Sequence, residues 1–353
     1  MLAFHRFSVR FVFLTAGVIS IVSTALSPLA FNIGFWGFIV ARVGQGISFS
    51  TIFQVIGLIT AEWAALGEHG LFLAFLTGCK QLSNIFTMPV SGTICSTSLG
   101  WPWVFYVHAI VSTVLFALWL LIYSSHRASD PSARSFRSNL ILGNSSNLQK
   151  GKEPVPYLRI LSDIGIWTAW LSAFADLLYV QLIAQYEPIY FNDYLDYNIF
   201  SSGFLSAVPV IAQFGAKLLS GITSDYLTCV SDTVNVKIYN TLALIVSGTP
   251  TISTGAAFLI ESLKKYFQTV AVCFTGFNTA GFNKNTTLRS QQHAHFTMTQ
   301  IMNIWAACIL LEPFIVEPIL TDHTSQSQWI IVFSIHGAFA IASGIIFLFT
   351  ANA

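Results

Sequence analysis

Residues 11 to 41 run without a single Asp, Glu, Lys or Arg, and long apolar windows of this kind recur along the whole chain, separated by short polar stretches. A helix needs ~20 apolar residues to cross ~30 Å of hydrocarbon. Splitting the windows at Pro, Gly and Asn punctuation therefore predicts about ten membrane-spanning helices. They fall near 9–30, 35–60, 71–95, 103–124, 164–190, 202–224, 238–260, 266–284, 297–319 and 328–351. The first window breaks between Pro28 and Gly34, while Glu62 to Gly70 and Ser96 to Pro102 make polar turns. His5, Arg6 and Arg10 precede an apolar stretch as in a signal peptide, but that stretch far exceeds a signal core and predicts a true span.

One long hydrophilic stretch, Ser124 to Asp163, carries Arg127, Arg134, Arg137, Lys150, Lys152 and Arg159. The positive-inside rule places it in the cytoplasm. Alternating outward puts His5, Arg6, Arg10, Lys237, Lys284 and Arg289 on the same side, leaves Lys264 and Lys265 outside, and sends Glu187, Asp193 and Asp196 to the opposite face. The sequons at Asn144 and Asn285 are then cytoplasmic and expected to stay unglycosylated. The chain divides into four spans over 1–124, a central cytoplasmic loop over 125–163 and six spans over 164–353. Repeat-built carriers need matched halves, so a four-plus-six layout predicts two further helices upstream, although no residue-level repeat is visible between the halves.

Composition agrees: 54% of residues are hydrophobic and only 9% charged, which excludes an ordinary soluble surface. The lipid bilayer is the expected partner. A net charge of +1 gives nucleic acid nothing to bind. Cys79, Cys95, Cys229, Cys273 and Cys308 are scattered without metal-ligand spacing, so no metal or cofactor is expected. A nucleophile elbow and a phosphate-binding Gly loop are both missing, and no enzyme is expected.

Ordered motifs then narrow the class. Arg42-Val43-Gly44-Gln45-Gly46, Trp63-Ala64 with Glu68, Pro89-Val90-Ser91-Gly92 and Gly100-Trp101-Pro102 leading into Val104-Phe105-Tyr106 mark the first half. Pro154-Val155-Pro156, Pro188-Ile189-Tyr190-Phe191, Gly203-Phe204-Leu205-Ser206, Ser220-Gly221 with Asp225, and Pro313 and Pro318 before Trp329 mark the second. The set resembles the anion:cation symporter branch of the major facilitator superfamily, which includes sialin, the vesicular glutamate transporters and type I sodium/phosphate cotransporters. The resemblance implies an all-α polytopic membrane protein with about ten of the twelve helices of that fold, the first two missing. It also implies a secondary transporter that moves small organic anions or phosphate through a central cavity, coupled to protons or sodium, in a plasma or vesicular membrane. The chain departs from the pattern at Gln45 and Phe49, where the family commonly has carboxylates, at Asp176, where vesicular glutamate transporters have Arg, and at Ala65-Leu66, where the family has Pro-Pro.

Ionisable residues inside spans are expensive in lipid and are functional candidates by default. Arg42, about two turns into its span with Gln45 one turn on, offers a permanently charged fork for carboxylate or phosphate; the alternative is a structural ion pair. Lys80 stands mid-span, out of reach of either surface, and requires a partner. Asp176 is also mid-span, with Gln181 and Gln185 farther along its helix; it suits a proton or cation site, or a buried pair with Arg42 or Lys80. Glu312 and Glu317 each precede a proline that frees a backbone carbonyl, and such kinks are expected to be wet; Glu317 is also near enough to the surface for solvation to explain it. Lys217 is expected to snorkel to the cytoplasmic surface, and His108 and His336 read as single structural histidines. Two rivals to an anion carrier follow: a carrier of cationic or neutral solutes, motivated by Asp176, and a transport-incompetent or fragmentary membrane protein, motivated by the two expected helices.

Overall fold

A computed structural model describes residues 9–52, 55–56, 74–122, 157–227, 229–255, 261–290 and 294–351. Trp63, Ala64, Ala65, Leu66, Glu68, Asn144, the central-loop cations from Arg127 to Lys152, and Pro154 to Pro156 lie outside the described residues. The described chain is helical, without strands: α1 (Val9–Ile33), α2 (Phe35–Phe49), α3 (Cys79–Cys95), α4 (Pro102–Ile122), α5 (Ile164–Ile189) and α6 (Ile199–Tyr226). Then come α7 (Asp232–Thr241), α8 (Ser247–Gly255), α9 (Glu261–Thr275), α10 (Phe282–Ser290), α11 (Ala294–Val316) and α12 (Gln326–Thr350).

The bilayer acts as solvent in the way the apolar windows predict. Large apolar side chains point outward, Leu121 at 83% exposure and Phe349 at 80%, whereas Asp176, Glu312 and Lys264 are buried. That is the reverse of a soluble protein. Among the described residues, six helical stretches are long and apolar enough to cross a membrane.

Several predicted spans are interrupted. In the span expected over 35–60, α2 ends at Phe49 with Ser50 as its C-cap, Ile52, Val55 and Ile56 are helical again, and 53–54 and 57–60 lie outside the described residues. The one expected over 238–260 is α7 and α8 joined through a π segment, Leu242–Val246. The one expected over 266–284 breaks at a 3-10 turn, Gly276–Thr279. Pro188 near the end of α5 is followed by a second π segment, Tyr190–Tyr194. Between α1 and α2 the chain turns on Gly34 alone, at φ 120°, a conformation open essentially to glycine.

By their contacts the helices form two compact units. In the first, α1 packs on α2 and α4; Phe13 meets the rings of Phe116 and Trp119 at 5.2 and 5.0 Å, and Arg10 donates to the Leu120 carbonyl at 3.0 Å. The second unit holds α3 together with α5 to α12. This grouping cuts across the sequence division at 124, because α3 packs chiefly on α6. There Gly92 and Gly203 face each other: a Cβ on Gly203 would lie 2.6 Å from the Met88 carbonyl oxygen and 3.1 Å from Gly92 Cα. Only glycine allows the two backbones to come so close.

At one end of the second unit, Tyr190 meets Trp329 and Phe333 edge-on at 5.0 and 5.3 Å and fixes the end of α5 to the start of α12. Lys264 and Lys265, the cations that the positive-inside count left on the outer side, are held near the same end. Lys264 Nζ donates to the Tyr194 hydroxyl at 2.7 Å, and Lys265 lies over the Tyr197 ring.

The opposite end of α5 is closed by its N-cap. Asp163 Oδ1 accepts from the Gly165 N–H at 2.8 Å, and Arg289 Nε donates to both carboxylate oxygens at 2.8 Å. Burial alone would push the Asp163 carboxyl up, but the Arg289 hydrogen bond and the Gly165 N–H outweigh it and hold it below its ordinary value. A depressed carboxyl stabilises the fold above the ordinary carboxylate range, and the contribution fades as pH falls through the lower folded value. Asp163→Asn keeps an N-cap but loses the charge that Arg289 pairs with, and is expected to cost up to about 1 kcal/mol at neutral pH and to flatten the loss of stability below about pH 4. Thermal unfolding of both proteins across pH checks this; parallel curves would remove Asp163 from the account.

Candidate functional site

The second unit contains a cavity walled by α3, α5, α6 and α9, about 360 Å³ including its open mouth. Its polar lining comes from Lys80, Gln81, Asn84, Tyr179, Glu187 and Gln213. On α5, Asp176, Tyr179, Ile183 and Glu187 recur at helical spacing and share one face. Gln181 is buried but lies on another face of α5 and is not among the residues lining the cavity.

Lys80 is the central cation. Its Nζ is buried and has no hydrogen-bond partner, and it sits over the Trp305 ring at 4.1 Å. The partner that the sequence demands is thus aromatic rather than a direct ion pair: Asp176 and Lys217 act on Lys80 electrostatically from farther away. A cation over an indole face recovers only part of its lost hydration, roughly 0.5–2 kcal/mol.

Asp176 is 1% exposed and accepts from Asn278 Nδ2 at 2.8 Å through Oδ2. Asn278 comes from the 3-10 turn that breaks the expected span over 266–284, so the interruption supplies the contact. Gln81 Nε2 donates to Gln213 Oε1 at 3.2 Å, and Gln213 Nε2 donates to Thr275 Oγ1 at 2.7 Å. This amide relay ties α3, α6 and α9 together along the cavity wall. It fixes which donors and acceptors that wall presents.

One residue differs from its sequence reading and one adds to it. Lys217 does not snorkel; it is 7% exposed and its Nζ donates to the Thr77 carbonyl at 3.3 Å, because the turn at Gly78 presents a backbone acceptor inside the unit. Glu187, read from the sequence only for its side of the membrane, is a cavity residue. It is 3% exposed, faces the cavity, and neither carboxyl oxygen has a hydrogen-bond partner. A buried carboxyl in that condition is a binding group for a proton or a cation.

Arg42 and Gln45 belong to the first unit. Arg42 Nη1 donates to Gln45 Oε1 at 3.0 Å, Gln45 Nε2 donates to Thr24 Oγ1 at 3.0 Å, and the guanidinium lies over Phe38 at 4.7 Å. Glu312 is fully buried on α11, beside His336 of α12. Glu317 is exposed and accepts from the Tyr186 hydroxyl at 2.9 Å. His108 Nδ1 lies 2.7 Å from the Val104 carbonyl, a structural contact as expected. Gln81, Gln213 and Asn278 escaped the sequence reading because uncharged amides in apolar windows carry no signal of depth or direction. Among the described residues no cluster of three or more His, Cys, Asp or Glu gathers to hold a metal.

The family model for the Major Facilitator Superfamily matches residues 3–299. Sialin from Ovis aries is 25% identical over 329 residues, which cover 92% of this chain and 66% of sialin. Sodium-dependent phosphate transport protein 1 from Mus musculus is 28% identical over 208 residues, 59% of this chain and 44% of that protein. The chain therefore spans less than two thirds of the length of these relatives. Among solved structures, a D-xylose-proton symporter superposes with a TM-score of 0.71 at 14% identity, covering 99% of this chain and 83% of the symporter. At that identity the likeness concerns the fold.

Proposed function

The chain belongs to the Major Facilitator Superfamily, and on that premise we propose that it moves small organic anions or inorganic phosphate across a membrane by alternating access, coupled to protons or sodium. The observation that carries this reading is Lys80. A buried ammonium without a hydrogen-bond acceptor, standing on a cavity wall among Gln81, Asn84 and Gln213, lacks what a carboxylate or phosphate oxygen supplies. The similarity to a sodium-dependent phosphate transport protein supports the same class of solute. In alternating access, two helical bundles rock about a midplane site, and differential binding of solute in the two states drives the exchange.

A second reading is favoured by Glu187, whose unpartnered carboxyl lines the same cavity and suits a cationic or neutral solute. Uptake into proteoliposomes separates the two: inorganic phosphate, small carboxylates, organic cations and neutral sugars, each with and without pH and sodium gradients. Uptake confined to anions supports the first reading; uptake confined to cations or sugars overturns it.

Arg42 is the second cationic candidate. Arg42→Ala is expected to lower anion flux at least ~10-fold, equivalent to about 1.4 kcal/mol, in protein that still inserts and unfolds at the wild-type temperature. Normal flux from that variant would leave Arg42 as a structural partner of Gln45.

A further inference from the structure

We propose that Glu312 and His336 form a proton-binding site, one proton shared between two buried side chains, and that its occupancy is linked to solute movement. The linkage rests on the transport reading above; the proton site itself stands on geometry alone.

Glu312 on α11 is 0% exposed and His336 on α12 is 2% exposed, so water is excluded from both. His336 Nδ1 lies 2.8 Å from the carbonyl oxygen of Val332, one turn earlier in the same helix. A carbonyl oxygen only accepts, so Nδ1 carries its hydrogen and the tautomer is set. Nε2 is left facing the Glu312 carboxyl, 3.2 Å from Oε1 and 3.4 Å from Oε2.

This contact needs one proton. Without it, the lone pair of Nε2 faces a buried carboxylate and neither group has a donor. With it, the pair is an imidazolium whose Nε2–H donates to the carboxylate, and the net charge of the pair is zero. Binding is therefore one proton taken up by the pair from water, and release is one proton returned. Release from the buried arrangement leaves an uncompensated negative charge, so it requires the pair to separate or to be wetted.

The surroundings do not supply a substitute. Among the described residues no Lys or Arg pairs with Glu312. The titratable groups that act on it are Cys308 on its own helix and Tyr186 on α5; Tyr186 also feels Glu317, and Cys308 also feels Asp176 and Lys80. Helix α8 and the π segment Leu242–Val246, both packed on α12, bring no titratable side chain. Helix α7, also on α12, brings Tyr239, whose hydroxyl donates to Thr223, along with Asp232 and Lys237. Helix α10, on α11, brings Lys284 and Arg289, which are engaged with Ser224 and Asp163.

Both α11 and α12 pack against α5, the helix that lines the cavity with Tyr179 and Glu187. Separation of α11 from α12 on that shared helix would part Glu312 from His336 and let the proton go.

The test uses the full chain in lipid nanodiscs with ¹⁵N-labelled histidine. The imidazole signal that vanishes in His336→Gln is expected to show a hydrogen on Nδ1 and a shared proton at Nε2. In Glu312→Gln the introduced amide donates to Nε2, and that signal should move to the position of a nitrogen with no proton of its own. An Nε2 signal identical in wild type and Glu312→Gln overturns the site. Should the amide variant fail to fold, Glu312→Asp stretches the shared-proton contact and is expected to shift the same signal; no shift overturns the site equally. For the linkage, proteoliposomes with an inward proton gradient are supplied with phosphate or small carboxylates. In Glu312→Gln gradient-driven accumulation is expected to fall to a ratio of one, and wild-type accumulation by this variant overturns the linkage. If wild type moves none of these solutes, the transport reading fails while the ¹⁵N result still decides the proton site.

Discussion

Lys80→Met is expected to make the protein more stable and nearly inactive, with solute flux down at least ~10-fold, the equivalent of about 1.4 kcal/mol. Methionine matches the length of the lysine stem, so the cavity wall keeps its shape. What disappears is an ammonium that is buried without a hydrogen-bond acceptor among the described residues and is held over Trp305. Burying an ion costs several kcal/mol after relaxation, and the indole face returns roughly 0.5–2 kcal/mol of it. Relief of the remainder should raise stability by about 1–3 kcal/mol. Thermal unfolding in detergent, read beside uptake into proteoliposomes, measures both effects on one preparation. A variant that is more stable and transports normally would show that Lys80 does not meet the solute; a variant that is less stable would show that the lysine is satisfied by contacts of another kind.

The second large effect concerns the crossing of α3 and α6. Gly203→Leu is expected to prevent the second unit from assembling, and Gly203→Ala to lower its stability by about 1–3 kcal/mol. The reason is that a side chain there meets backbone, the Met88 carbonyl oxygen at 2.6 Å and Gly92 Cα at 3.1 Å, and backbone cannot rotate away. The helices must separate, and with them the Gln81 to Gln213 bond that spans the same crossing. Gly46 in α2 is the natural control, since a Cβ there meets nothing within 4 Å. Gly46→Ala should be neutral or stabilise by ~0.5–1 kcal/mol through helix propensity. Unfolding midpoints that rank Gly203→Ala level with Gly46→Ala would discard the close crossing.

Most of the fold was legible because the bilayer imposes one rule over long windows. Runs such as Val9–Ile33, Pro102–Ile122 and Gln326–Thr350 must be helical if they are to satisfy their backbones in lipid. The rule fails where helices are shielded from lipid by neighbours. The π segment Leu242–Val246 and the 3-10 turn Gly276–Thr279 lie inside apolar windows that read as continuous, and hydropathy has no term for such local geometry. The site shows the same limit. Lys80, Asp176 and Glu312 stood out as charges in apolar sequence, and the structure buries both carboxyls and the Nζ of Lys80. Lys217 and Glu187 sit near the ends of their windows, where sequence distance to the surface suggested solvation; burial there is decided by what packs across, namely the Thr77 carbonyl and the wall of the cavity. His336 looked solitary because Glu312, its neighbour in space, lies on another helix, 24 positions away.

The glycine crossing has a consequence for how the chain is made. Helix α3 carries Lys80, a charge that is costly to place in lipid without protein around it. Its principal neighbour, α6, emerges from the ribosome much later: Gln81 and Gln213 are separated by 132 positions. During that interval of synthesis α3 has no groove for its glycine face and no amide for Gln81. It must wait at the membrane, in the insertion machinery or at the interface, until the second unit's helices arrive to admit it. Biogenesis of this protein is thus a matter of timing, in which a helix translated early completes its insertion late.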